Sequence, residues 1–365
     1  MTYEEARRQL PVLEHTAYLN AGTTGPLAQS TADAVIEATE RDAREGRSGK
    51  RYVERMLELR ETARRALADV LSVDATQVAL VESTTRGCAI VLGGFGLTAE
   101  DEVITTDQEH FGLTGPLFAT GARVVMTDAD EDAILQAVTP RTRLIATSHV
   151  LWTTGRKLDV HRLRRDSGLP LLIDGAQSVG AIPVDIGELD FYTVSAQKWL
   201  CAPDPAGALY VRDPDLVRIK TPTYFSQESY ELTGEFVPKA TSVRFDSGWV
   251  GIPALSGIIA ALATHPEWRF ERGAEMAAHC AELLAEHVEV ITPPGNSTLV
   301  SFRPPGDPEQ LVASLHERGV VVREIPKRNI VRASCGWWTN EDDLQRLVAG
   351  VRGSDSARSA VSDPA

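Results

Sequence analysis

Five short apolar runs in this chain each end in a polar cluster: Glu82-Ser83-Thr84-Thr85, Glu109-His110, Ser148-His149, Asp174-Gly175-Ala176-Gln177 and Ser195-Ala196-Gln197-Lys198. Asp174 closes an apolar run, where a carboxylate stays charged only beside a cation. Lys198 follows another, and a lysine drawn out of water has a lowered pKa and attacks carbonyls. Together the two suit an aromatic electron sink whose protonated ring nitrogen is held by Asp174 and whose imine is formed by Lys198. Pyridoxal 5'-phosphate (PLP) is the cofactor with that chemistry. It also needs a phosphate cradle. Ser83-Thr84-Thr85 opens a helix expected over Thr84–Leu92, so backbone N–H groups and hydroxyls face an anion at the positive helix end. Ser195 and Gln197 are further candidate phosphate donors.

Such groups must be held at one edge of a sheet. From about residue 78 the chain alternates apolar runs with helical or loop segments, the runs being Val78–Val81, Val103–Thr106, Val124–Met126, Leu144–Thr147, Leu171–Ile173, Phe191–Val194 and Ala208–Val211. Most are continuously apolar, as in strands buried on both faces of a mainly parallel sheet. Segments 132–138 and 160–167 have room for crossover helices, so the fold class is α/β. Ligands of such sheets bind beyond the carboxyl ends of the strands, where the five polar clusters fall.

The rhythm lapses after Val211. Residues 251–264 and 267–288 then read as helices, followed by a strand over 298–302, a helix over 308–318, strands over 320–323 and 330–332, and a helix over 341–351. The expected organisation is an N-terminal segment (1–16), a large cofactor domain (17–250), a smaller C-terminal α+β domain (251–352) and a disordered tail (353–365). Residues 41–65 carry a surplus of arginine and lysine and read as a solvated helical face.

Composition narrows the function. The 365 residues are 43% hydrophobic and carry a net charge of −14, which suits a globular chain and leaves no basic excess for nucleic acid. No apolar run approaches a membrane span, and the acidic start lacks the build of a signal peptide, so a cytoplasmic protein is expected. The four cysteines form no C-x-x-C pair, which argues against both a zinc cage and a disulfide framework, and no metal is expected.

At these residues the sequence resembles the class V aminotransferase family of fold-type I PLP enzymes, in its isopenicillin N epimerase-like and cysteine desulfurase-like branch. The resemblance runs from Tyr18-Leu19-Asn20-Ala21-Gly22 to Arg332-Ala333-Ser334 and on to Asn340. Its most specific part is Ile173-Asp174-Gly175-Ala176-Gln177-Ser178, with Lys198 following 24 residues after Asp174. It implies Lys198 as the Schiff-base lysine, Asp174 as partner of the ring nitrogen and Gln177 beside the ring hydroxyl. It implies His110 stacked on the ring, and Ser83, Thr84, Ser195 and Gln197 around the phosphate. Arg332 matches the arginine that clamps a substrate α-carboxylate, with Asn20 and Ala21 also on the substrate side. A homodimer is implied as well, and the arginine-rich helix around 44–51 is a candidate contact.

Three departures stand out. Trp152 falls where desulfurases carry an asparagine, and Gly248-Trp249 replaces a common Gly-Thr; two tryptophans pointing inward would narrow the pocket. The connection from Arg323 to Ile330 has no cysteine where desulfurases present a nucleophilic one, and Cys335 is expected to pack behind the site. Cysteine desulfurase is therefore disfavoured. The expected activity is conversion of an amino acid or related amine by α-proton abstraction, with transamination first. C–S lysis and epimerisation are alternatives, and a non-catalytic PLP-binding regulator is an alternative of another class.

Overall fold

The computed structural model describes residues 1–295 and 297–359. Its centre is a seven-stranded sheet of β1 (Val78–Val81), β2 (Glu102–Thr106), β3 (Arg123–Thr127), β4 (Thr142–Ser148), β5 (Leu171–Asp174), β6 (Phe191–Ser195) and β7 (Gly207–Val211). The spatial order is β1-β7-β6-β5-β4-β2-β3, and only β7 runs antiparallel to its neighbours. The fold is α/β with a mainly parallel sheet. Alternate residues feed two cores. Ile104, Ile145, Ile173 and Tyr192 pack on one face, and Val103, Leu144, Leu172 and Phe191 on the other. This two-sided burial is why the runs are apolar without a polar alternation.

Register brings the polar clusters together. Ser148 at the end of β4 pairs with Asp174 at the end of β5, and Asp174 in turn pairs with Thr193 of β6. The segment after β1 forms a helix over Thr84–Gly94, capped by Ser83, whose hydroxyl accepts the Arg86 N–H. His110 likewise caps the helix Phe111–Phe118 that follows β2.

The second unit is built on strands Glu289–Val290, Leu299–Arg303, Val331–Ser334 and Arg323–Glu324, with helices Arg269–Ala285, Pro308–Glu317 and Glu341–Ser359. Its core also holds Ala17 and Leu19. Ala17–Tyr18 forms a parallel pair with Val320–Val321, so these residues, expected in the large domain, pack with the second unit. The N-terminal segment follows them there: Tyr3 donates its hydroxyl to the Trp338 carbonyl at 2.9 Å, and Arg7 pairs with Asp343. The strand expected over 320–323 is divided, because the chain changes sheets at Val322.

Two further expectations need correction. Arg60 and Arg64 do not lie on a solvated face; both are buried against Asp246, which links helix Gly49–Leu71 to β1 through the Leu80 N–H. The last helix runs past residue 353, to Ser359, since a formed helix extends at little cost. The rest of the expected tail, 360–365, lies outside the described residues. Among the described residues no helix is long and apolar enough to cross a membrane.

Candidate active site

A cavity of about 140 Å³ sits at the carboxyl edge of the sheet. It is lined by Ser83, Thr84, His110, Trp152, Asp174, Gln177, Ser195, Gln197 and Lys198, together with Thr85, Ser148 and Ala176. Nine of the expected site residues therefore meet in one place. Arg332, Asn20 and Ala21 lie beside it rather than in its wall. The Gly22 carbonyl accepts the Gln177 amide N–H at 2.8 Å, and the Gly22 N–H donates to Ser334 Oγ at 3.1 Å. Asn20 bridges to the same Ser334, and its Oδ1 accepts from the Thr23 hydroxyl.

Asp174 is buried, and its Oδ1 accepts the Ala176 N–H at 2.9 Å. No arginine or lysine lies within ion-pair distance of it among the described residues. Burial pushes the Lys198 ammonium down to about 8; Asp174 opposes that, while Arg332 and Arg323 reinforce it. An amine with that pKa holds or releases a proton near neutrality.

His110 Nδ1 accepts the Gly112 N–H at 3.0 Å, which leaves the proton of the neutral ring on Nε2. Burial, followed by the Lys198 charge, lowers its pKa, so the neutral form prevails at neutral pH. Trp152 stands edge-on to His110, ring centroids 5.2 Å apart. Glu109 supports this segment from below. Its carboxylate accepts from the hydroxyls of Thr106, Thr147 and Ser148 and from the Ser148 N–H, tying the end of β2 to the end of β4. Burial raises its pKa. Ser195 Oγ donates to Gln197 Oε1 at 2.9 Å, which leaves the Gln197 amide N–H groups for another acceptor.

Arg332 is fully buried, and one Nη donates to the Trp152 carbonyl at 2.8 Å. Its Nε and other Nη have no partner, and burial, aided by Arg323, lowers its pKa to about 9. Buried guanidinium donors left unpaired are costly and call for an anion. Arg323 is the residue that sequence reasoning passed over. It lies directly opposite Arg332 across an antiparallel pair, and its Nη1 donates to Thr23 Oγ1 at 3.1 Å. The signal was available as two arginines flanking a short apolar-bounded turn, but the register was needed to see it.

Trp249 does not line this cavity. It is 62% exposed and packs edge-on against Phe225, 5.1 Å between centroids. Cys335 is fully buried in the core of the second unit, and its thiol is pushed well above its usual range by its contact with Cys280 and by burial.

The residues present fit PLP. A buried carboxylate without a cation, a lysine of depressed pKa and a helix N-terminus with Ser83, Thr84 and Thr85 match its ring nitrogen, aldehyde and phosphate.

Comparison with known proteins agrees. The family model for aminotransferase class-V matches residues 17–347. Isopenicillin N epimerase of Amycolatopsis lactamdurans is 30% identical, with 96% of this chain and 98% of that protein covered. The enzyme of the same name from Streptomyces clavuligerus is 28% identical over 95% of this chain and 96% of that one. Among solved structures, the cystine C–S lyase C-DES in complex with its product cysteine persulfide superposes with a TM-score of 0.87 at 26% identity. That match covers 94% of this chain and 99% of the other. With the family match spanning both the lysine edge of the sheet and the arginine strand of the second unit, the chain belongs to the aminotransferase class-V family and is a PLP-dependent enzyme.

Proposed function

We propose that the protein is a PLP-dependent C–S lyase for a disulfide-bearing amino acid with two carboxylates, of which cystine is the simplest. The observation that carries this reading is the cross-strand pair Arg323 and Arg332. Like charges directly opposite one another are unfavourable unless an anion lies between or beside them. A monocarboxylate amino acid needs one guanidinium; a dicarboxylate uses both. The name of the solved relative, a cystine C–S lyase, supports the same choice.

Each residue then has a task. Lys198 anchors the cofactor and afterwards takes the proton from the substrate Cα, as its depressed pKa allows. Asp174 keeps the ring nitrogen protonated, and PLP when bound supplies the electron sink for the charge left at Cα. Ser83, Thr84, Ser195 and Gln197 would hold the phosphate, His110 and Trp152 would flank the ring, and Gln177 would donate to the ring oxygen. Arg332 binds the carboxylate next to the reacting carbon, with the Asn20–Ala21 segment beside it, and Arg323 takes the distal one. Breaking the Cβ–S bond releases the persulfide, and overall cystine and water yield cysteine persulfide, pyruvate and ammonia.

Transamination, the first expectation, shares the path as far as loss of the Cα proton, and so does epimerisation. The second guanidinium speaks for a dicarboxylate substrate whichever reaction follows; we rank lysis first because the solved relative at 26% identity is a cystine C–S lyase. A homodimer belongs to the proposal, supported by the exposed apolar side chains Tyr224, Tyr230, Leu232, Val237 and Trp249 on one segment. So does a reducing cytoplasmic setting, supported by four free cysteines.

The test is incubation of the PLP-loaded protein with cystine, cysteine and alanine, with products read by mass. Pyruvate and persulfide in equal amounts from cystine are expected. Pyridoxamine phosphate without pyruvate would assign transamination, and inversion at Cα without cleavage would assign epimerisation; either would overturn the proposal.

A further inference from the structure

Gln177 is buried, and both ends of its amide are engaged. Oε1 accepts the indole N–H of Trp199 at 3.0 Å, and Nε2 donates to the Gly22 carbonyl at 2.8 Å. An indole nitrogen only donates, and a backbone carbonyl only accepts. Turning the amide over would set N–H against N–H and carbonyl against carbonyl. The orientation is thus decided by two neighbours that cannot change roles. Nε2 carries a second hydrogen that Gly22 does not use, and Gln177 lines the cavity.

Trp199 is itself held firmly. It is 2% exposed and lies directly after Lys198. Gly180 approaches it so closely that a Cβ there would come within 2.9 Å of the Trp199 carbonyl carbon. The next residue, Leu200, offers its carbonyl to His265 Nε2 at 3.1 Å. The lysine segment and the Gln177 turn are therefore joined through the core by the hydrogen bond from Trp199 to Gln177.

We infer that Trp199 is a positioning residue, acting through Gln177, which makes the Gln177 amide a hydrogen-bond donor to the cofactor and prevents it from acting as an acceptor. The chemical consequence is specific. A donor beside the ring oxygen favours its ionised form, whereas an amide carbonyl turned toward it would oppose that form. The inference rests on PLP binding at Asp174 and Lys198 and is independent of which reaction follows.

The experiment uses the PLP-loaded protein without substrate and follows its visible absorbance against pH. Trp199→Phe keeps the ring and removes the N–H. The midpoint of the absorbance change is expected to rise by about one pH unit, the size of one hydrogen bond. Gln177→Leu is expected to raise it at least as far, and the double variant no further than Gln177→Leu alone. An unchanged midpoint in Trp199→Phe, or a shift that adds to that of Gln177→Leu, would overturn the inference, since a packing role predicts either. Should Trp199→Phe not fold, the indole N–H resonance of Trp199 in the native chain decides: it moves in Gln177→Leu if the bond exists and stays if it does not. A failure of cystine cleavage would leave all these readings intact, and a protein with no PLP absorbance would strike the underlying assignment.

Discussion

Arg323 and Arg332 face each other across neighbouring antiparallel strands, and Arg323 helps to lower the pKa of Arg332. On the proposed reading, two guanidiniums in that position make an anion site that one carboxylate only half uses. Arg323→Ala should therefore lower kcat/KM for cystine by about 10- to 100-fold, the loss of one charge-assisted contact, with little effect on a monocarboxylate substrate. Steady-state kinetics on the two substrates would check it. Equal losses on both would remove Arg323 from recognition of the distal group.

The depressed pKa of Lys198 has a consequence for the cofactor-free protein. Between about 8 and the ordinary 10.5 the folded chain has released this proton while the unfolded chain still holds it. Stability then rises with pH through that window, and the burden of a buried ammonium is fully present below it. Denaturant midpoints of apo wild type should climb from pH 8 to 10 more steeply than those of Lys198→Met. Parallel slopes would mean that the lysine is not desolvated.

Asp246 carries the buried charge of two arginines. It accepts from Arg60 Nη2 at 2.7 Å and from both Nη atoms of Arg64, besides the Leu80 N–H. Asp246→Asn leaves two guanidiniums short of a counter-charge and should cost about 3–5 kcal/mol. Urea denaturation measures it. The same aspartate fixes the approach to Trp249, because Arg60 also donates to the Gly248 carbonyl, so fluorescence of that exposed tryptophan should change in the variant.

All four cysteines are free and buried. A thiol reagent should find none of them in the folded protein and all of them after denaturation. Cys335→Ala should keep turnover within about twofold while lowering stability, as expected for a packed thiol and not for a sulfur carrier. Loss of turnover with an intact fold would restore the desulfurase reading.

Much of the site could be read in advance because its groups sit at strand ends. A strand buried on both faces tolerates no charge inside, so Asp174 and Lys198 stood out against Leu171–Ile173 and Phe191–Val194. What escaped was relational. Arg60 and Arg64 look like any solvated arginines until Asp246, distant in sequence, is brought between them. Trp199 looks like core until its N–H is seen to meet Gln177. Arg323 needed the strand register, and the placement of Ala17–Tyr18 needed its partner at Val320–Val321. Two residues are too short a pattern to announce a strand.

That last pairing also orders events during synthesis. The first strand of the chain waits for a neighbour made some three hundred residues later, and the buried guanidinium of Arg332 arrives only after it. A nascent chain that has passed β7 already holds the lysine, the aspartate and the cradle for phosphate. It lacks the means to grip a carboxylate. The residues expected to hold the cofactor therefore precede, in the order of synthesis, the strand that carries the arginine expected to grip the carboxylate.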